Sequence, residues 1–251
     1  MVLSHRHLTP DAAGSAGGFQ YIGDELDVFA RAVRWKSYLR SHVRPYLGDR
    51  VLEVGAGIGG TTHLLCEGDH QAWICLEPDG RFAERLRAQL AAGGLRECCS
   101  VRTGTIHDLR PDERFDSVLY VDVLEHIERD REELARAAEH VAPGGALVVL
   151  VPARPGLFSA FDRALGHFRR YTAESLRAVA PPALAEAKMI YLDSVGCLAS
   201  LANRFILKES RPGRWQVWTW DRLMVPVSRV VDPLLGHAVG KSLLGVWRRT
   251  A

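Results

Sequence analysis

The chain of 251 residues lacks a long apolar run and carries little surplus of charge, and both shortages narrow what it can do. No stretch is apolar for long enough to span a bilayer, and no apolar core follows the few basic residues at the start. A cytoplasmic protein without stable membrane insertion is expected. The formal net charge is only +2, which provides no basic footprint for DNA or RNA, so nucleic acid is not expected as a partner. Five cysteines, Cys66, Cys75, Cys98, Cys99 and Cys197, are odd in number and show no Cys-x-x-Cys spacing. Neither a disulfide framework nor a zinc knuckle is indicated by that pattern. No metal-ligand cluster stands out elsewhere, so the expected metal site is none and the chemistry is expected to be metal-independent. Internal repeats are also missing.

What is present is an ordinary globular composition, 47% hydrophobic and 25% charged, in a chain long enough to be stable without staples. Residues 1–23 read as a flexible leader and 24–251 as one domain, with lid or substrate segments at about 20–46, 154–171 and 193–240. Apolar residues recur at helical spacing between Asp24 and Tyr46. After that, strands at Val51–Val54, Ala72–Leu76, Cys98–Arg102, Asp116–Val121 and Ala146–Val151 alternate with helices. Two more strands follow, Lys188–Leu192 and Ser242–Trp247. The fold class this predicts is α/β, a Rossmann-like seven-stranded, mostly parallel sheet with helices on both faces, a helical N-terminal segment and an inserted lid.

The segment Val51 to Gly60 carries the most chemistry. Val51, Leu52 and Val54 suit a central parallel strand, and Gly55, Gly57, Gly59 and Gly60 let the backbone turn tightly beside a ligand. Gly55, Gly57 and Gly60 satisfy a dinucleotide-binding pattern, which keeps an NAD(P)-dependent oxidoreductase as an alternative. Glu53 argues against it: a carboxylate beside the loop would repel a pyrophosphate but suits a ligand with an ammonium and a sulfonium, such as S-adenosylmethionine (SAM). Glu77, at the end of the next strand, can accept both ribose hydroxyls. Asp79 either contacts the adenine or caps the following helix.

Four stretches together resemble the class I SAM-dependent methyltransferases, and within them the bacterial small-molecule type 11/12 group. They are Glu25-Leu-Asp-Val-Phe-Ala30 with Trp35-Lys36, the glycine loop, Tyr120-Val-Asp-Val-Leu-Glu-His-Ile127, and Gly166-His-Phe-Arg-Arg-Tyr171. The resemblance implies SAM as cofactor, S-adenosyl-L-homocysteine (SAH) as product and an antiparallel last strand. It implies cofactor contacts from Tyr21, Trp35, Glu53, Gly55, Ala56, Gly57, Glu77, Pro78, Gly104, Thr105, Ile106, Asp122 and Val123.

For catalysis, His167 is the preferred general base, with Tyr171 holding the acceptor and His126 either taking part or bracing a helix. Arg169 and Arg170 either pair with an anion on the acceptor or form salt bridges with Glu128, Asp162 or Glu174. The acceptor is expected to be a small molecule with an apolar portion, O-methylation being slightly preferred, and a SAM-binding protein without turnover is a further alternative. Gly236 to Ser242 imitates a phosphate-binding loop, but it has one residue too few between its glycines and Lys241-Ser242 is read as the start of the last strand. The tryptophan-rich segment around Trp215, Trp218 and Trp220 is a pocket roof, a homodimer interface or a patch that rests on a membrane.

Overall fold

The computed structural model describes residues 25–202 and 213–250. The leader and Tyr21 lie outside the described residues. Helices α1 (Glu25–Phe29) and α2 (Val33–Val43) precede a sheet made of β1 (Arg50–Val54), β2 (Ala72–Glu77), β3 (Cys99–Thr103), β4 (Phe115–Val121), β5 (Val141–Pro152), β6 (Ala185–Leu192) and β7 (Ser242–Arg248). Short α3 (Thr62–Leu65), α4 (Gly80–Ala91) and α5 (Asp130–Glu139) are the crossovers among the first five strands. Beyond β5 come α6 (Ala160–Ala164) and α7 (Ala173–Val179), and between β6 and β7 lie α8 (Ser194–Ala202), α9 (Arg214–Thr219) and α10 (Val225–Leu234).

The strand order is β3-β2-β1-β4-β5-β7-β6. Strands β1 to β5 pair in parallel, and β7 runs antiparallel to both β5 and β6. The expectation of a mostly parallel seven-stranded sheet with an antiparallel last strand is met.

Both faces of the sheet are covered, so its central strands carry apolar residues without interruption. One face packs Val51, Trp73, Leu119, Val148 and Val246 beneath α2 and α10. The other packs Leu52, Ile74, Val118, Leu147 and Trp247, with Leu134 of α5 and Leu176 of α7. Adjacent strands β1 and β4 leave in opposite directions along the sheet, and a crevice opens at their carboxyl ends, as open α/β sheets require. Among the described residues no helix is long and apolar enough to cross a membrane.

Candidate active site

At that crevice a cavity of about 1250 Å³ is walled by the glycine loop, the ends of β2, β4 and β5, α2, and the segments around α6 and α9. The loop has left-handed backbone at Gly55 (φ 67°) and Gly57 (φ 57°). At Gly55 a side chain is impossible for a second reason: a Cβ there would stand 2.6 Å from Cγ2 of Val123. The tight turn therefore brings bare backbone to the cavity.

Glu77 is 4% exposed and faces this loop; its Oε2 accepts the Gly57 amide at 2.7 Å and its Oε1 the Asp79 amide at 2.9 Å. Burial raises its carboxyl, working against those two amides. Asp79 takes the capping role: its Oδ1 accepts the Arg81 amide at 2.9 Å at the start of α4. Thr105 lines the cavity beside Gly104, while Ile106 turns away and is fully buried in the core, which corrects its expected place beside the ligand. Pro78, Ala56, Gly57 and Val123 line the wall.

Glu53 is also a correction. Its carboxylate does not line the cavity; Oε2 accepts Thr62 Oγ1 at 2.7 Å and Trp73 Nε1 at 2.8 Å inside the core. Side chains two apart share a face of a strand, so Glu53 goes with Val51 toward Trp73 and α2. Burial pushes its carboxyl up to about 7 despite the two donors.

Trp35 and Lys36 of α2 do reach the cavity. The Trp35 amide donates to Asp221 Oδ1 at 2.8 Å, and Lys36 Nζ donates to the Ala30 carbonyl at 2.7 Å. Burial pulls the Lys36 ammonium down to about 8, against the pull of Asp221, Asp122 and Glu53.

Asp122 has φ 54°, and its side chain opens on the cavity with no hydrogen bond to the described residues. The side chain is open to the cavity, yet desolvation by the surrounding wall pushes the carboxyl up to about 6, although His167, Lys241 and Lys36 favour the charge. An unpaired carboxylate there suits a cationic ligand group.

His126 and His167 meet edge to face with ring centroids 4.6 Å apart, and both line the cavity. His167 Nδ1 donates to Asp162 Oδ1 at 3.1 Å, which leaves Nε2 as the proton acceptor. Burial disfavours a charge on Asp162, but His167 and Arg170 outweigh it and hold the carboxyl well below the usual range. Burial and the neighbouring His167 lower His126 to about 4, so it is neutral at physiological pH.

Tyr171 does not reach the acceptor space, a further correction. Its ring is 1% exposed and its hydroxyl donates to Asp130 Oδ2 at 2.8 Å, fastening the lid to α5. Arg169 pairs with Asp130 at 2.6 Å and Arg170 grips Asp162 at 2.8 and 3.0 Å, so both arginines are pinned by carboxylates.

Glu125 and Lys241 are among the cavity residues to which the sequence reading gave no role in the site. Glu125 is 1% exposed, and its Oε2 has no hydrogen-bond partner among the described residues. Lys241 lines the cavity 3.7 Å from Asp193 Oδ2 and 4.0 Å from the Trp220 ring centroid, although its residue number places it only at the entrance to β7. Among the described residues, two groups have donor atoms close enough to hold a metal ion: Glu125, His126 and His167, and Cys66, Cys98 and Cys99, each within 4.8 Å.

A methyltransferase-domain family profile matches residues 52–147, the stretch that holds the glycine loop, Glu77 and Asp122. Over that stretch the chain is similar to methyltransferase domains. Over 107 residues it is 33% identical to the ubiquinone biosynthesis O-methyltransferase of Bradyrhizobium sp. (strain ORS 278), covering 41% of this chain and 39% of that protein. Over 105 residues it is 35% identical to ajmaline N-methyltransferase of Rauvolfia serpentina, covering 40% and 35%. The chain thus matches only about two fifths of the length of these curated relatives.

The fold as a whole is similar to the N-methyltransferase NodS from Bradyrhizobium japonicum WM9, with TM-score 0.55, 17% identity and coverage of 91% and 99% of the two chains. It is also similar to a geranyl diphosphate methyltransferase in complex with SAM, with TM-score 0.57, 16% identity and coverage of 94% and 93%. SAM, the ligand of that last structure, is the cofactor against which this cavity can be compared. The cavity fits it on this structure's own terms, through the bare loop backbone, the buried Glu77 at the end of β2 facing that loop, and the Asp122 carboxylate with no hydrogen bond to the described residues.

Proposed function

We propose that the protein transfers the methyl group of SAM to a small-molecule acceptor with an apolar portion, oxygen being preferred over nitrogen or carbon as nucleophile. The observation that carries this reading is the His167–Asp162 pair on the cavity wall, a base oriented by a carboxylate. SAM, when bound, supplies a methyl carbon activated by its sulfonium. The protein's own task is alignment and proton removal.

Glu77 is assigned to the ribose hydroxyls, the backbone of Gly55, Ala56 and Gly57 to the sugar and methionine portions, and Gly104, Thr105 and Pro78 to the adenine. Asp122 faces the cationic end, beside Val123. Trp35 closes the cavity from α2. His167 Nε2 takes the hydroxyl proton of the acceptor, and Asp162 stabilises the imidazolium that results. His126, held neutral, keeps the neighbouring position free of a second charge. The apolar walls given by Phe29, Leu157, Phe161, Val217 and Trp220 support an acceptor with an apolar portion.

The test is transfer of a labelled methyl group from SAM to a panel of phenols, carboxylic acids and amines. His167→Ala is expected to lower kcat by about 100- to 10,000-fold with SAH binding retained. SAH binding with no methylated product across the panel would leave a SAM-binding protein without turnover. Equal turnover by His167→Ala would end the role of His167 as base.

A further inference from the structure

Helices α9 and α10, joined by a turn of π-helix over Trp220–Met224, form one continuous rod that packs along the molecule by one side only. The inner side is conventional: Val217, Trp220, Val225 and Ser228 are buried. The outer side is not. Trp215, Trp218, Leu223, Val227, Val230 and Leu234 are 71%, 47%, 58%, 50%, 65% and 80% exposed.

The last four of these fall at i, i+4, i+7 and i+11, so they share one stripe facing solvent. Trp215 and Trp218 continue it and stack on each other at 4.8 Å between ring centroids. Beside the rod, Leu198 and Leu201 of α8 extend the apolar surface at 63% and 37% exposed. An apolar area of this extent on one face marks an interaction site.

Charge separates the possible occupants. The rod contains three arginines, Arg214, Arg222 and Arg229, all exposed. Its two carboxylates are turned inward and consumed: Asp221 by the amides of Arg34 and Trp35, Asp232 by the Tyr38 hydroxyl and the amides of Asp193 and Ser194. Among the described residues the rod's exposed charges are therefore all cationic, beside an apolar outer face. A second copy of the same face would bring arginines against arginines, whereas an anionic lipid surface offers both the apolar and the charge complement. Tryptophan is also the side chain that settles best at the boundary of headgroups and acyl chains.

We propose that the α9–α10 rod is a peripheral membrane anchor that lies flat on an anionic bilayer. The same rod roofs the cavity through Val217, Trp220 and Met224, with Ala199 and Ser200 of α8 beside them. Docking thus places the acceptor side of the cavity against the lipid, and the acceptor class that follows is an apolar molecule partitioned in the bilayer. That corollary rests on the proposed function; the docking itself does not.

The test is co-sedimentation of the full chain with phosphatidylcholine vesicles, with and without phosphatidylglycerol. Binding is expected to be about tenfold or more tighter to the anionic vesicles and to weaken at high salt. Trp215→Ser with Trp218→Ser is expected to abolish it, and Arg222→Glu with Arg229→Glu to reduce it by about tenfold or more, with the melting temperature and SAH titration of both variants unchanged. Failure to bind anionic vesicles, or equal binding by the variants, overturns the proposal. A dimer in light scattering that the tryptophan variant dissociates, without vesicle binding, assigns the face to a second copy instead. SAH titration of the same samples judges the methyltransferase reading separately, because none of the four substituted side chains lines the cavity.

Discussion

Replacing Glu53 tests whether the acid that opens the glycine-loop motif serves the ligand or the scaffold. Both of its hydrogen bonds converge on Oε2, from Thr62 at the start of α3 and from Trp73 in β2, and both donors are fully buried. Glu53→Ala leaves two buried donors unmet at roughly 1–3 kcal/mol each, about 4 kcal/mol together. For a chain of this size each kcal/mol moves Tm by about 2–4 °C, so a fall of roughly 10 °C is expected. Glu53→Gln keeps an oxygen for both donors and removes only the ionisable proton.

A carboxyl whose folded value is raised from 4.5 to about 7 stabilises the fold while protonated and loses that contribution as pH rises through the folded value. The shift corresponds to about 3 kcal/mol at 1.36 kcal/mol per unit. Glu53→Gln is therefore expected to match wild type below pH 4.5, and to be the more stable of the two above pH 7. Thermal unfolding across pH, paired with calorimetric titration of SAH, checks both halves. A Glu53→Gln protein that melts like wild type but loses SAH affinity by about 100-fold would refute the assignment and return Glu53 to the ligand.

The remaining expectations concern the cavity itself. Glu77→Ala removes the acceptor for two loop amides as well as the group assigned to the ribose, and SAH affinity is expected to fall by about 100-fold, from charge-assisted hydrogen bonds worth roughly 1.5–3 kcal/mol each. A change within about threefold by calorimetry would remove Glu77 from the cofactor site. Because Asp122 ionises only above about 6, affinity for SAM should weaken as pH drops through that value, and more than affinity for SAH, whose sulfur is uncharged. Asp122→Asn should lose that difference, and a pH response equal for the two ligands would contradict the pairing of Asp122 with the sulfonium.

The sheet was legible because its strands are apolar on both faces and the connecting helices are amphipathic, so periodicity alone separates them. That same apolarity hid the direction of Glu53. In β1, Val51, Leu52, Glu53 and Val54 are all buried, and no alternation distinguishes the ligand side from the core side. Tyr171 misled for a different reason. Its neighbours in sequence, His167 and Arg170, do line the cavity, but the backbone at Tyr171 bridges Ala153 and sends its ring toward Asp130. Lys241 and the cysteine group were invisible because their partners come from distant segments: Asp193 and Trp220 for the lysine, and Cys66 against Cys98 and Cys99, each at 3.6 Å, for the thiols. The asparagine-like turn at Asp122, with its left-handed φ, left no mark in a stretch of strand-forming residues.

The order in which the strands assemble has a cost during synthesis. β6 pairs with β7 and with no other strand, yet α8, α9 and α10 must all emerge between them. Until β7 inserts beside β5, the nascent protein displays open strand edges at β5 and β6, while the half built from β1 to β4 can already close. The half built from β1 to β4 is thus a unit expected to mature early, and the half from β5 onward a unit completed by a single late insertion. Interruption of synthesis or proteolysis ahead of Ser242 would consequently leave a sticky species whose exposed edges favour aggregation or capture by chaperones.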